Sequence, residues 1–283
     1  MLKTNKIKIV KYNIVNKKIN SLNISLLSDI HYYDKRDVNK LNLISHKLKD
    51  LKPDYICIAG DLIEESTVSD LKYLYCWLKD LGKICKVIIS LGNHDISIRK
   101  SNKYYKNEGF INSIKNITNV VLLDDETFAE NNICFIGLTN SIDYYYKDND
   151  RENFNCFIKE LKTEKLKINK SKYNILLCHS PISIINRNIK KECNLLENID
   201  LVLCGHMHAG LTPRILQKIL KHRVLISPDK RILVKDAYGY MRRNDIDYII
   251  SSGITKASHY NPIHFMDNLF YREIVDIKIE SSN

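Results

Sequence analysis

Five apolar runs in this chain each end in a short cluster of histidine, aspartate or asparagine, and this repetition constrains the fold more than any other feature. Leu26-Leu27-Ser28-Asp29-Ile30-His31 follows one run, Ile58-Ala59-Gly60-Asp61 ends a second, and Ser90-Leu91-Gly92-Asn93-His94-Asp95 follows a third. Leu176-Leu177-Cys178-His179-Ser180-Pro181 and Val202-Leu203-Cys204-Gly205-His206-Met207-His208 complete the set. Short, nearly continuous apolar runs read as strands buried on both faces, and open parallel sheets place their ligand crevices beyond the strand carboxyl ends. Polar side chains gathered there need something to bind.

The segments between the runs fit that sheet. Val38, Leu41, Leu48 and Leu51 follow helical spacing, with Asp37 in the opening turn and Pro53 past the end. Val68, Leu71, Leu74, Leu78 and Leu81 predict a second helix, packed by Trp77, Tyr73 and Tyr75. With strands at Ile7 to Val15, Leu22 to Leu27, Asp54 to Ala59 and Lys86 to Ile89, the order β-α-β-α-β argues for parallel strands and right-handed crossovers. Asn119 to Leu123 and Asn132 to Leu138 read as short strands that switch to a second sheet. Asn140 to Asp150 is a polar, tyrosine-rich loop before a helix at about Arg151 to Leu166; its tyrosines either line a pocket or lie exposed. Tyr173 to Cys178, Asp200 to Cys204, Ile249 to Ser252 and Leu269 to Ile279 are further strands, the last alternating through Phe270, Ile274, Ile277 and Ile279. No repeat or linker interrupts the chain, so residues 1–283 read as one domain with a motif-bearing core at about 22–280.

The clusters carry metal-binding chemistry. Asp29 and His31 are two apart, which on a strand points both the same way; a helix-capping aspartate with an unrelated histidine is the plainer reading of that pair alone. Gly60 permits a tight turn that frees Asp61, whose two carboxylate oxygens suit it to bridge two cations. Histidine, aspartate and asparagine together form an inventory for two divalent metals.

In order, the motifs D-x-H, G-D, G-N-H-D, H-S-P and G-H-x-H resemble the calcineurin-like metallophosphoesterase family, over Ile24 to about Ile279. The resemblance implies an α/β fold: a four-layer α/β/β/α sandwich with two mixed β-sheets packed face to face and the metal site at the strand C-terminal edge. It implies a phosphoesterase dependent on two divalent metal ions, hydrolysing a phosphomonoester, phosphodiester or diphosphate by direct attack of a metal-bridging hydroxide. One metal would take Asp29, His31 and His208, the other Asn93, His179 and His206, with Asp61 bridging. His94 would stabilise the transition state or protonate the leaving alkoxide, and Asp95 would accept its other ring N–H. Mixed oxygen and nitrogen ligands without thiolate favour Mn, with Fe, Zn and Co as alternatives. A nuclease of the same superfamily is a second reading. A non-catalytic protein-binding scaffold is a third, although such a protein would be expected to lose ligands or His94, and every position is filled.

The net charge of +11 selects no partner by itself, because Lys, Asn and Ile are abundant throughout. A basic segment at about 211–247 is more specific. Leu211, Ile215, Leu216, Ile219 and Leu220 give its first part an apolar stripe suited to an amphipathic helix beside the metal centre, and Lys218 and Lys230 add charge. Arg242 and Arg243 are expected to bind an extended anionic substrate; a solvated basic face is the bland reading. The opening Ser-Asp-Ile-His, Gly205 to Gly210 and Ile250 to Thr255 look most like a bacterial subgroup of membrane-associated phosphoesterases and enzymes that cleave the diphosphate of a nucleotide-linked acylated sugar. Ala209 stands where that subgroup usually has glycine. Expected partners are a phosphorylated small molecule or lipid-linked substrate, with nucleic acid or peripheral membrane contact as further possibilities. No run of about 18 apolar residues occurs, so no transmembrane segment is expected. A cytoplasmic location is expected, with a peripheral position at the membrane inner face as a further possibility, and the cysteines are expected to be reduced and mostly buried.

Overall fold

The strand Tyr55–Ala59 displays how the layers are built. Ile56 and Ile58 pack with Leu41, Ile44 and Leu48 of helix Val38–Leu51 and with Leu74, Leu78 and Leu81 of helix Lys72–Gly82. Tyr55, Cys57 and Ala59 face the other way, onto Phe135, Ile175 and Leu203 of a second sheet. Successive strand residues point to opposite faces, so a run that is apolar throughout needs cover on both. The computed structural model describes residues 7–64, 70–100, 103–145, 150–161, 168–181, 196–210, 212–228, 231–255 and 272–281.

Each large sheet has six strands. The first runs Lys8–Val15, Glu273–Glu280, Ser21–Leu27, Tyr55–Ala59, Lys86–Ser90 and Val120–Leu122, with one antiparallel pairing, between Glu273–Glu280 and Ser21–Leu27. The second runs Gly239–Arg243, Ile246–Ile250, Leu201–Cys204, Tyr173–Cys178, Ile133–Leu138 and Thr127–Glu130, parallel inside and antiparallel at both edges. Its outer face, through Ile136, Leu176 and Val202, is covered by Phe157 and Leu161 of helix Asp150–Leu161. The order of layers is therefore α/β/β/α, as expected.

Several elements depart from expectation. Trp77 is buried, with its indole N–H donating to the Leu41 carbonyl at 3.0 Å, whereas Tyr73 faces solvent. The tyrosine-rich loop contains a helical turn, Ile142–Tyr145. A hairpin, Ser97–Lys100 with Lys103–Lys106, and a helix, Glu108–Lys115, follow the third motif. The basic segment folds as a short helix Arg214–Leu220, a hairpin Val224–Ile226 with Ile232–Val234, and the edge strand Gly239–Arg243. An edge strand tolerates charged residues, so its hydrophobic pattern is weak. In the helix, Leu216 and Ile219 face outward while Gln217 is buried. Leu211, Lys230, Leu269 and Phe270, residues 162–167, and the side chains of Arg214, Ile215 and Lys218 lie outside the described residues. Cys57, Cys134, Cys178 and Cys204 are buried free thiols. Among the described residues, no helix is long and apolar enough to cross a membrane.

Candidate metal centre

The carboxyl ends of the inner strands deliver the polar clusters to one edge. Strand Ser21–Leu27 stops before Asp29, and the strand pleat therefore does not aim Asp29 and His31 together. The backbone does it instead: Asp29 (φ 51°) and His31 (φ 47°) are both left-handed, as are Asp61 (φ 52°), His206 (φ 66°) and His208 (φ 47°). Non-glycine residues in this region are sparsely populated and cluster at functional sites, where surrounding structure holds them. Two glycines make the close approach feasible. A Cβ at Gly92 would lie 2.1 Å from Asp61 Oδ1, and one at Gly253 (φ 80°) would lie 2.7 Å from Asp29 Cβ.

Three groups of side chains gather closely enough to hold a cation: Asp29 with His31 and His208, Asp61 with His179 and His206, and His31 with Asp61 and His94. His208 Nε2 is 3.4 Å from Asp29 Oδ1, and the His31 and His208 rings stack at 5.3 Å. Asp61 Oδ2 lies 3.0 Å from His179 Nε2 and 3.7 Å from His31 Nε2. Asp61 Oδ1 accepts the backbone N–H of His94 at 3.0 Å. Oδ2 thus stands between the rings of both groups, while Oδ1 takes that amide. Asn93 opens the turn Asn93–Ile96, between Gly92 and His94.

Outer partners set the ring orientations, and the sequence alone hides them. His31 Nδ1 is 3.0 Å from Glu64 Oε2. His94 Nδ1 meets the Glu64 carbonyl, His179 Nδ1 the Ala59 carbonyl at 2.7 Å, and His208 Nδ1 the Thr255 carbonyl at 3.2 Å. Such partners fix the tautomer and raise ligand basicity. Asp95 does not serve His94 in this way. Its Oδ1 accepts the Leu62 and Ile63 N–H groups at 2.8 and 3.2 Å and its Oδ2 accepts Gly92 N–H at 2.9 Å, stapling two strand-end loops. Three amide donors converge on this buried carboxylate, and the carbonyl of Glu64 takes the role expected of it. Lys40, buried, donates to the carbonyls of Ile30 and His31 at 2.8 and 3.3 Å and to Thr255 Oγ1 at 3.3 Å. It braces the loop of Asp29 and His31 against the segment that orients His208.

The electrostatics fit divalent metals. Burial disfavours charge on Asp61, yet His179 and His94 hold it well below the usual carboxylate range. Burial likewise opposes charge on His179, but Asp61 and Asp29 lift it to about 10. Burial and the neighbouring His179 push His206 down to about 3. His206 Nδ1 stands 3.1 Å from His179 Nε2, so two ring nitrogens face one another beside a carboxylate. His31 Nε2 is buried with no hydrogen-bond partner among the described residues. Carboxylate oxygens and imidazole nitrogens that converge this closely are suited to a cation, which would take the place of the proton shared by Asp61 and His179, and the donor set of carboxylate and imidazole matches Mn, Fe, Co or Zn.

Arg242 and Arg243 are not part of this centre. The strand register puts Arg242 opposite Asp247 and Arg243 opposite Ile246. The centre lies past Ile250, about 10 Å further along from Arg242 and about 13 Å from Arg243 at roughly 3.3 Å per residue. Arg242 Nη1 is 3.7 Å from Asp247, and Arg243 pairs with Asp236. The register therefore sets them apart from the metal ligands: an antiparallel edge strand runs its far end away from the carboxyl edge.

The calcineurin-like phosphoesterase profile matches residues 22–210, the span that carries all five clusters. A metallophosphoesterase of Helicobacter pylori is 30% identical over 226 residues, 77% of this chain and 55% of that protein. One from Campylobacter jejuni is 29% identical over 209 residues, 74% of this chain and 50% of that protein. The chain thus spans about half the length of the curated relatives it matches. Among solved structures, the protein TT1561 of Thermus thermophilus is similar with a TM-score of 0.48 and 11% identity, covering 83% of this chain and 92% of that one. The match over residues 22–210, most of the chain, makes it a member of the calcineurin-like phosphoesterase family.

Proposed function

We propose that this chain uses two divalent metals to hydrolyse a phosphomonoester, a phosphodiester or a diphosphate. Asp29, His31 and His208 hold one cation; Asn93, His179 and His206 hold the other; Asp61 is shared. The observation that carries this reading is the position of Asp61 Oδ2, within 3.0 Å of His179 Nε2 and 3.7 Å of His31 Nε2, so that one carboxylate serves both groups. Two bound cations would supply a water nucleophile acidified to near neutral pH and positive charge against the phosphoryl oxygens. The chain's own residues do the rest. Outer carbonyls and Glu64 orient the rings, and Asp95 holds the loops of Asp61 and His94 together. His94, its Nδ1 tied to the Glu64 carbonyl, uses Nε2 to protonate the leaving alkoxide or stabilise charge on the phosphoryl group.

Mn is the metal we favour, since the ligands mix oxygen and nitrogen without thiolate. Phosphorylated small molecules and lipid-linked diphosphates are the substrate classes, the latter supported by the subgroup resemblance of the first and last motifs. The test is hydrolysis of an aryl phosphomonoester and a bis-aryl phosphodiester by chelator-stripped protein with and without Mn. Hydrolysis restored by Mn is expected, and the rate ratio assigns monoester or diester preference. Protein that binds no metal would sink the proposal.

A further inference from the structure

Tyr145 ends the helical turn Ile142–Tyr145, in the stretch whose role the sequence leaves open. Its neighbour Tyr144 is fully buried, with its hydroxyl 3.2 Å from Ser180 Oγ, directly after His179. That contact fastens the turn to the loop of His179. The Tyr145 ring then lies against the centre, its centroid 5.5 Å from His206 and 6.4 Å from His179. Its hydroxyl is shielded from solvent and has no hydrogen-bond partner among the described residues. A phenol ordinarily titrates near 10, so at neutral pH the group is a hydrogen-bond donor.

A buried phenol without an acceptor is costly, and native proteins keep few such groups. The acceptor it lacks can be named from its surroundings. A phosphoryl group bound among Asp61, His179 and His206 brings anionic oxygens to the face on which the Tyr145 ring lies. The arginines of the edge strand are too far to meet them. A protonated phenol also differs from a metal ligand, which would have to bind as phenolate.

We propose that the Tyr145 hydroxyl donates a hydrogen bond to a non-bridging phosphoryl oxygen of the substrate, bound over the Asp61–His179–His206 group. The assignment rests on the phosphoesterase reading and adds to it a substrate-touching residue that none of the five motifs contains. The bond forms with bound substrate and persists in the transition state, so it contributes uniform binding.

The test uses Tyr145→Phe in Mn-loaded protein, with inorganic phosphate as the probe. Phosphate affinity should fall roughly 10- to 100-fold, the range of a hydrogen bond to a charged group. KM for the aryl phosphate should rise comparably while kcat holds within about twofold. Metal content should be unchanged, and thermal stability equal or higher, since the variant removes an unpaired buried donor. Unchanged phosphate affinity overturns the assignment. Metal loss overturns it in favour of a ligand role, and clear destabilisation overturns it in favour of an internal partner. Wild-type protein that binds Mn but no phosphate defeats the phosphoesterase reading itself, which separates the two failures.

Discussion

The two ends of the same parallel strands follow opposite electrostatic rules. At the amino ends charges are matched: Lys18 Nζ lies 2.9 Å from Asp200, and Lys86 pairs with Glu130, which also accepts the Tyr55 hydroxyl at 2.6 Å. Arg242 joins this end through Asp247. At the carboxyl ends Asp29 and Asp61 meet imidazoles, and His179 Nε2 and His206 Nδ1 face each other at 3.1 Å. A matched network is complete without a ligand. An unmatched one, assembled from left-handed residues, has its energy returned by what it binds. The difference is one of balance: the amino ends are satisfied internally, and the carboxyl ends gather groups that could hold a cation.

Breaking the unmatched end should have the largest effect. Asp61→Asn removes the shared charge, and activity should fall by more than the roughly 10- to 100-fold typical of losing an outer partner, with weakened occupancy at both metals by elemental analysis. Loss of one metal alone would refute the shared role. His94→Ala should lower kcat by roughly 100- to 10,000-fold while metal content survives; parallel loss of metal would make His94 a ligand. Glu64→Ala leaves the carbonyl that holds His94 and removes the carboxylate beside His31. Metal affinity should drop roughly 10- to 100-fold, read by chelator competition, and an unchanged affinity would reduce Glu64 to packing. The smallest effect belongs to the matched end. Arg242→Ala with Arg243→Ala should leave kcat/KM within about twofold for small and extended substrates, and stability within about 1 kcal/mol, since both arginines are exposed and the buried Asp247 keeps the Tyr240 hydroxyl as a donor. A raised KM for an extended anionic substrate would erase the contrast between the two ends.

Much of this is legible in the chain because strand ends are set locally. Each apolar run dictates where a buried strand stops, and Asp29, Asp61, Asn93, His179 and His206 follow within a short turn of those stops. Asp95 escapes a sequence reading, which pairs it with His94, because adjacency in the chain says nothing about which amides converge on a carboxylate. Leu62, Ile63 and Gly92 reach it only after two strands have paired. Arg242 and Arg243 escape it for a related reason. Their charge is visible, but the register that carries them to the far end depends on pairing with Ile246–Ile250.

The sequence by itself determined the alternation of strands and helices and the chemical types at the carboxyl edge, since periodicity and residue type act over a few positions; the four layers followed only from the family resemblance. Tertiary structure alone decided which nitrogen of each histidine meets an outer partner, which oxygen of Asp61 lies beside His179, and that Glu64, Thr255 and Tyr145 pack against these rings. Those outcomes depend on contacts between segments distant in the chain, such as Thr255 Oγ1 donating to the Ile30 carbonyl at 2.6 Å. Such contacts form only when sheet pairing has brought the loops together, so no local pattern encodes them.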